Sequence, residues 1–244
     1  MTGDGPASPM TRGQAIGTEA DRAMMPERVS AVLFDLDGVL VDSEPVWEQV
    51  RRQVVAEHGG HWAADAQQRL MGMSTGEWAR YLGQDLGVGL PPQAIAAMVI
   101  DRMKARYAEH VPFLPGAVGA VRQLAARWPL GLASSSPPVL IDAVLDGGGL
   151  RDCFAVTMST EQVAHGKPAP DVYLEAARRL GVAPERCTAV EDSNAGIRSA
   201  SSAGMRVVAI PNAAYPPDEA TLQLADADAD VGSLDDLTVE VLRG

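Results

Sequence analysis

The sequence predicts an α/β protein: a parallel sheet with helices on both faces and, inserted after the first strand, a block made only of helices. Three observations carry this. Val29 to Glu44, VSAVLFDLDGVLVDSE, is an apolar run that ends in carboxylates. Pro45 to Pro112 shows helical spacing and no convincing strand, and from there onward helix and strand patterns alternate. Repeated alternation needs right-handed crossovers and a parallel sheet covered on both faces.

Ala31, Val32, Leu33 and Phe34 form the first predicted strand, because a short continuous apolar run bounded by turn residues suits burial on both faces. In the block that follows, Val46, Trp47, Val50, Val54 and Val55 recur at helical spacing. So do Trp78, Tyr81, Leu82 and Leu86, and then Ile95, Met98, Val99, Met103 and Tyr107. The Pro-rich passage Val111 to Gly116 closes the block. Ala117 to Arg127 is then a predicted helix, and Leu130 to Ala133 a strand ending in three serines. Val139 to Leu145 is helical and Phe154 to Met158 a strand. Asp171 to Leu180 is a helix capped by the Asp and stopped by Gly181. Thr188 to Val190, Ala195 to Ala203 and Arg206 to Ile210 complete the series as strand, helix and strand.

Residues 1–28, rich in Gly, Ala, Pro, Thr and charge, are expected to be a disordered extension. Residues 29–44 and 114–244 would be the catalytic core, and residues 45–113 a helical cap standing over the carboxyl edge of the sheet. Ala225 to Asp230 reads as a solvated face or short edge strand, since its acids lack calcium-loop spacing.

The formal net charge of −12 and the absence of any Lys/Arg run argue against nucleic acid or an anionic membrane as the main partner. A small phosphorylated metabolite remains compatible, because one metal ion and one lysine can reverse the local field. Cys153 and Cys187 are far apart and lack metal-type spacing, which suits reduced thiols. No stretch is long and apolar enough for a membrane span, and residues 1–28 lack the apolar centre of a secretory signal. The expected location is cytoplasmic, as a monomer or weak homodimer.

Four strand ends supply polar groups to one edge of the sheet, the edge where ligands of open α/β sheets bind. The first gives Asp35 and Asp37, followed by Gly38 for the turn. The second gives Ser134 and Ser135, the loop after the third gives Lys167, and the fourth gives Glu191 and Asp192. Singly, each has an ordinary explanation: an Asp-Gly turn, Ser136 as a helix cap before prolines, an exposed loop lysine, another cap. Jointly they suit phosphoryl transfer. A phosphate dianion repels a carboxylate nucleophile, so Asp35 can attack only with a cation spanning both. Mg²⁺, a hard cation preferring oxygen, fits, with Asp35, Asp192 and the Asp37 backbone carbonyl as ligands and Glu191 either on the ion or behind it. Lys167 would hold the phosphoryl oxygens, with Ser134 and nearby N–H groups completing the cradle and Ser135 beside it as a substrate contact. Asp37 would protonate the leaving oxygen and later activate water.

DLDGVLVDSE, LASSS, GKPAPD and VEDSNAG resemble the four motifs of the haloacid dehalogenase superfamily, in order, over nearly all of the chain beyond its first segment. The resemblance implies a Rossmann-like core, an inserted helical cap, Mg²⁺ and the roles given above. Within the superfamily Asp37 argues against true dehalogenases, and the likeness is to sugar-phosphate phosphatases and β-phosphoglucomutases. The mutases carry a cap histidine where this chain has Trp47 and a cap-loop arginine where it has Thr75, so hydrolysis of a small phosphomonoester is favoured over a mutase reaction. Phosphonate hydrolysis is disfavoured because no cap lysine precedes Pro91. The cap loop Arg69 to Ser74 is expected to face the substrate, with Gly72 as its hinge and Arg69 touching either a sugar hydroxyl or a neighbouring carboxylate. A phospho-receiver-like switch is the reading from another class, disfavoured by the length of the chain and by Asp37.

Overall fold

The computed structural model describes residues 29–210, 212, 216–225 and 231–243. The predicted extension over 1–28 and the acidic stretch beyond Ala225, up to Asp230, lie outside the described residues. Five strands, β1 (Ala31–Phe34), β2 (Leu130–Ser134), β3 (Phe154–Ser159), β4 (Cys187–Glu191) and β5 (Arg206–Ala209), form one sheet. Its order is β3-β2-β1-β4-β5, and every neighbouring pair is parallel. β1 is central, with Val32 opposite Leu130 on one side and Thr188 on the other. The chain fills one side of β1 with β2 and β3 and then crosses to the other with β4. The strand order therefore reverses beside β1, the point at which such sheets open a crevice at their carboxyl ends.

Between β1 and β2 run five helices, of which the first four are α1 (Glu44–Glu57), α2 (Ala66–Leu70), α3 (Thr75–Gln84) and α4 (Pro92–Glu109). The spacing that predicts them also sets their inner face: Trp47, Val50 and Val54 of α1, Trp78 and Leu82 of α3, and Ile95, Val99 and Met103 of α4 are buried. Burial of each such side chain contributes about 1.5–3 kcal/mol, which is what holds short helices that would be marginal alone. Glu77 reaches back to accept the Ser74 N–H (2.8 Å) and fixes the start of α3. The helix α4 packs against α1 and α3 and also on α6 (Pro138–Gly148) below, so that the block shares one apolar cluster with the sheet.

The helices α5 (Ala117–Ala125) and α6 cover one face of the sheet; α7 (Asp171–Leu180) and α8 (Asn194–Ser202) cover the other. The alternation of side chains along β1 sends Val32 and Phe34 to the first face and Ala31 and Leu33 to the second. The cap expected at Asp171 and the ordinary cap weighed for Ser136 are both absent. Pro170, not Asp171, precedes α7, and the Asp171 carboxylate accepts the backbone N–H of His165 instead (3.2 Å). Likewise Pro137 precedes α6, which leaves the Ser136 hydroxyl available for another partner. Among the described residues no helix is long and apolar enough to cross a membrane.

Candidate active site

Asp35 follows β1 directly, and its N–H donates to Val190 O (3.0 Å), so the central ladder fixes its backbone. Its carboxylate accepts Lys167 Nζ at 2.7 Å, and the same ammonium lies 2.6 Å from Glu191 Oε1. Glu191 closes β4 with no exposure, and Tyr173 of α7 donates its hydroxyl to the same Oε1 at 2.7 Å. The other oxygen, Oε2, receives the Asp192 N–H (3.2 Å) and the Ser193 hydroxyl (3.3 Å). Both Glu191 oxygens are thus occupied, and the residue acts as a strut between Lys167, Tyr173 and the start of α8. Gly196 in that helix is bare for the same reason, since a Cβ there would occupy the Glu191 carboxylate.

Asp37 is gripped by hydroxyls. Ser43 donates to Oδ1, while Ser136 (2.7 Å) and Ser134 (3.4 Å) lie on Oδ2. The Ser134 Oγ also accepts the Ser136 N–H (2.9 Å), and Ser159 Oγ donates to Ser136 O (2.7 Å), so the turn after β2 is braced from β3. Gly38 has φ +83°, and a Cβ there would stand 2.6 Å from Cγ of Asp192. The glycine is required twice, for its left-handed backbone and for the close approach of that carboxylate.

Asp35, Glu191 and Asp192 offer ligand atoms all within 4.8 Å of one another, and all three are buried. Burial pushes the Asp35 carboxyl up to about 7, with Lys167 pulling it down and Glu191 and Asp37 pushing it further up. Burial also pushes Asp192 up to about 9, helped by the charges of Asp35 and Glu191. Lys167 is held charged by Asp35 and Glu191 in spite of its own burial. Asp192 Oδ1 is buried without a hydrogen-bond partner. Crowded carboxylates, one lysine and an orphaned carboxylate oxygen fit a divalent, oxygen-preferring cation.

These groups open onto a cavity of about 530 Å³. Asp35, Asp37, Lys167 and Asp192 line its sheet side, and Trp47, Arg51, Met71, Gly72 and Trp78 its helical side. Exposed Ser135 lies on the wall, whereas Ser134 and Glu191 are fully buried behind it. Gly72, at φ +74°, turns the loop after α2 along the cavity. Arg69 does not line it. The Arg69 guanidinium lies 4.3 Å from the Tyr81 ring centroid and pairs with Asp85 (3.4 Å), the neighbouring-carboxylate alternative, so the expected substrate contact is not supported. Sequence reasoning missed Ser136 as a partner of Asp37, Tyr173 as a partner of Glu191, and Arg51 and Glu44 on the cavity wall. Arg51 did leave a signal, a charge four residues after Trp47 on the face that the apolar residues mark.

Fold and site together define an α/β enzyme whose chemistry belongs to carboxylates at the switch point of a parallel sheet. The family model of haloacid dehalogenase-like hydrolases matches residues 29–204, and the chain belongs to that family. It is similar to hexitol phosphatase B of Escherichia coli (strain K12), 34% identical over 225 residues, which cover 90% of this chain and 99% of that protein. It is also similar to the fructose-1-phosphate phosphatase YqaB of the same organism, 32% identical over 184 residues, 75% of this chain and 97% of that one. Among solved structures, CbbY from Rhodobacter sphaeroides in complex with phosphate superposes with a TM-score of 0.76 at 29% identity, covering 88% of this chain and 99% of that chain.

Proposed function

We propose that the protein is a Mg²⁺-dependent phosphatase that hydrolyses a small phosphomonoester, a phosphorylated sugar or polyol, through an aspartyl-phosphate on Asp35. The observation that carries this is the buried Asp35–Lys167 pair at 2.7 Å, opening onto a cavity beside a hydroxyl-bound Asp37. The names of the relatives, phosphatases of hexitol phosphate and of fructose 1-phosphate, agree with that substrate class. Residues 29–44 and 114–244 would form the catalytic core and residues 45–113 a cap, consistent with a cavity walled by both.

Asp35 attacks phosphorus along the line opposite the leaving oxygen, and the phosphorus–oxygen ester bond breaks. Lys167 holds charge on the phosphoryl oxygens, with Ser134 and Ser135 beside it. Asp37, oriented by Ser43 and Ser136, gives a proton to the leaving oxygen. It then takes a proton from the water that displaces Asp35 from phosphorus. Asp35, Asp192 and the Asp37 carbonyl would hold the ion, while Glu191, with both oxygens engaged, positions Lys167 and Asp192. Mg²⁺ in that place supplies charge compensation between carboxylate and phosphate. Trp47 brings no acid or base to the cavity where a mutase has a histidine, which favours water as the acceptor.

The test is Mg²⁺-dependent phosphate release from a panel of sugar and polyol phosphates by the wild-type protein and by Asp35→Asn. The variant should fold and release nothing. Near-wild-type turnover by Asp35→Asn would remove the nucleophile assignment.

A further inference from the structure

Arg51 is a cation on the cavity wall that this chemistry leaves unused. It lies in α1 with only 5% exposure, its guanidinium 4.6 Å from the Trp47 ring centroid and 5.3 Å from that of Trp78. Nε and Nη1 are buried without a hydrogen-bond partner, and no carboxylate lies within ion-pair distance of Arg51 among the described residues. Glu44, which accepts Gln67 Nε2 at 2.6 Å, and Asp37 act on it only from farther away. The tryptophan faces stabilise its charge but take none of its in-plane donors. Buried donors are normally satisfied, so Arg51 is a fork built for a group that enters the cavity.

The other cation of the cavity, Lys167, is already paired on the sheet side. The cavity volume of about 530 Å³ is within the range for small-molecule sites. Nη2, which forms no hydrogen bond among the described residues either, shares one edge of the guanidinium with Nε and another with Nη1. Either planar, charged edge in a cavity wall matches a carboxylate or phosphate in two-point contact, whereas a neutral hydroxyl would leave the charge to Glu44 and Asp37 at longer range. We propose that Arg51 is a specificity-determining residue that takes an anionic group, a carboxylate or second phosphate, at the end of the substrate remote from the phosphoryl group removed. The inference rests on the phosphatase reading and narrows it to phosphosugars that carry a second negative group.

Two matched pairs of compounds test it: glucose 6-phosphate against 6-phosphogluconate, and fructose 1-phosphate against fructose 1,6-bisphosphate. In the wild type kcat/KM should favour the doubly anionic member of at least one pair by about ten- to hundredfold, the range expected for a hydrogen bond to a charged group. Preference within the first pair identifies a carboxylate, and within the second a phosphate. Arg51→Gln should collapse the ratio and Arg51→Lys should retain part of it, with melting temperatures recorded for both. No preference in the wild type overturns the inference, as does a parallel loss on both members in Arg51→Gln with a lowered melting temperature, which would leave Arg51 as packing between tryptophans. Absence of phosphate release from all four compounds and from p-nitrophenyl phosphate would refute the phosphatase reading itself, and the inference with it.

Discussion

Tyr173→Phe removes one oxygen from the centre of the site and nothing else. The hydroxyl donates to Glu191 Oε1 at 2.7 Å, and the carboxylate it serves is wholly buried. A hydrogen bond to a charged acceptor is worth about 1.5–3 kcal/mol. Lys167 stays on the same oxygen at 2.6 Å, so the acceptor is not orphaned and the loss should fall near the lower end, about 1.5–2 kcal/mol. The ring remains and no sizeable cavity opens. Urea denaturation followed by circular dichroism measures the stability term. Phosphate release measures the second effect: Glu191 loses its fixed position, Lys167 with it, and kcat should drop by about tenfold with KM little changed. A stability change below about 0.5 kcal/mol, the scatter of surface substitutions, together with unchanged kcat would refute the reasoning, because Lys167 alone would then suffice to hold Glu191.

Asp37→Asn should lower kcat by about two to four orders of magnitude, as loss of a general acid/base does; a defect confined to KM would contradict that role. Gly38→Ala meets a left-handed backbone that costs about 1–2 kcal/mol and drives a methyl group into the Asp192 carboxylate. Titration calorimetry should find Mg²⁺ binding much weakened in that variant, and unchanged binding would count against Asp192 as a ligand. Hydrogen bonds from Arg178 and Arg179 hold the half-buried Glu175 carboxyl down at about 2. Its folded value lies below the unfolded 4.5, so its contribution is complete above pH 4.5 and is lost as pH falls toward 2. Wild type and Glu175→Gln should therefore differ in melting temperature at pH 6 and converge as the pH is lowered through that window; a constant gap would disprove the linkage.

The strands were legible because continuous apolar runs such as Ala31 to Phe34 permit little else in an α/β chain, and the four polar clusters were legible because each follows such a run. What sequence could not resolve is partnership. Periodicity states that Arg51 and Tyr173 face inward, but not that one meets two indole rings and the other a buried carboxylate. The two misplaced caps have a common cause: Pro137 and Pro170 occupy the positions where Ser136 and Asp171 would have capped, and both side chains bond elsewhere. For Arg69 the sequence left a sugar hydroxyl and a neighbouring carboxylate both open; from the last turn of α2 its long side chain folds back over Tyr81 toward Asp85. That choice is made by tertiary packing, to which local spacing is blind.

The cavity has two authors within one chain. Its reactive floor comes from the ends of parallel strands, where positions such as Gly38 and Gly196 tolerate no added atom, while its roof comes from helices whose cavity-facing residues, Trp47, Arg51 and Trp78, pack on one another. Selection can therefore reshape the roof, exchanging an indole or a guanidinium for something smaller or neutral, without disturbing the floor. A lineage built this way can change its diet while keeping its reaction.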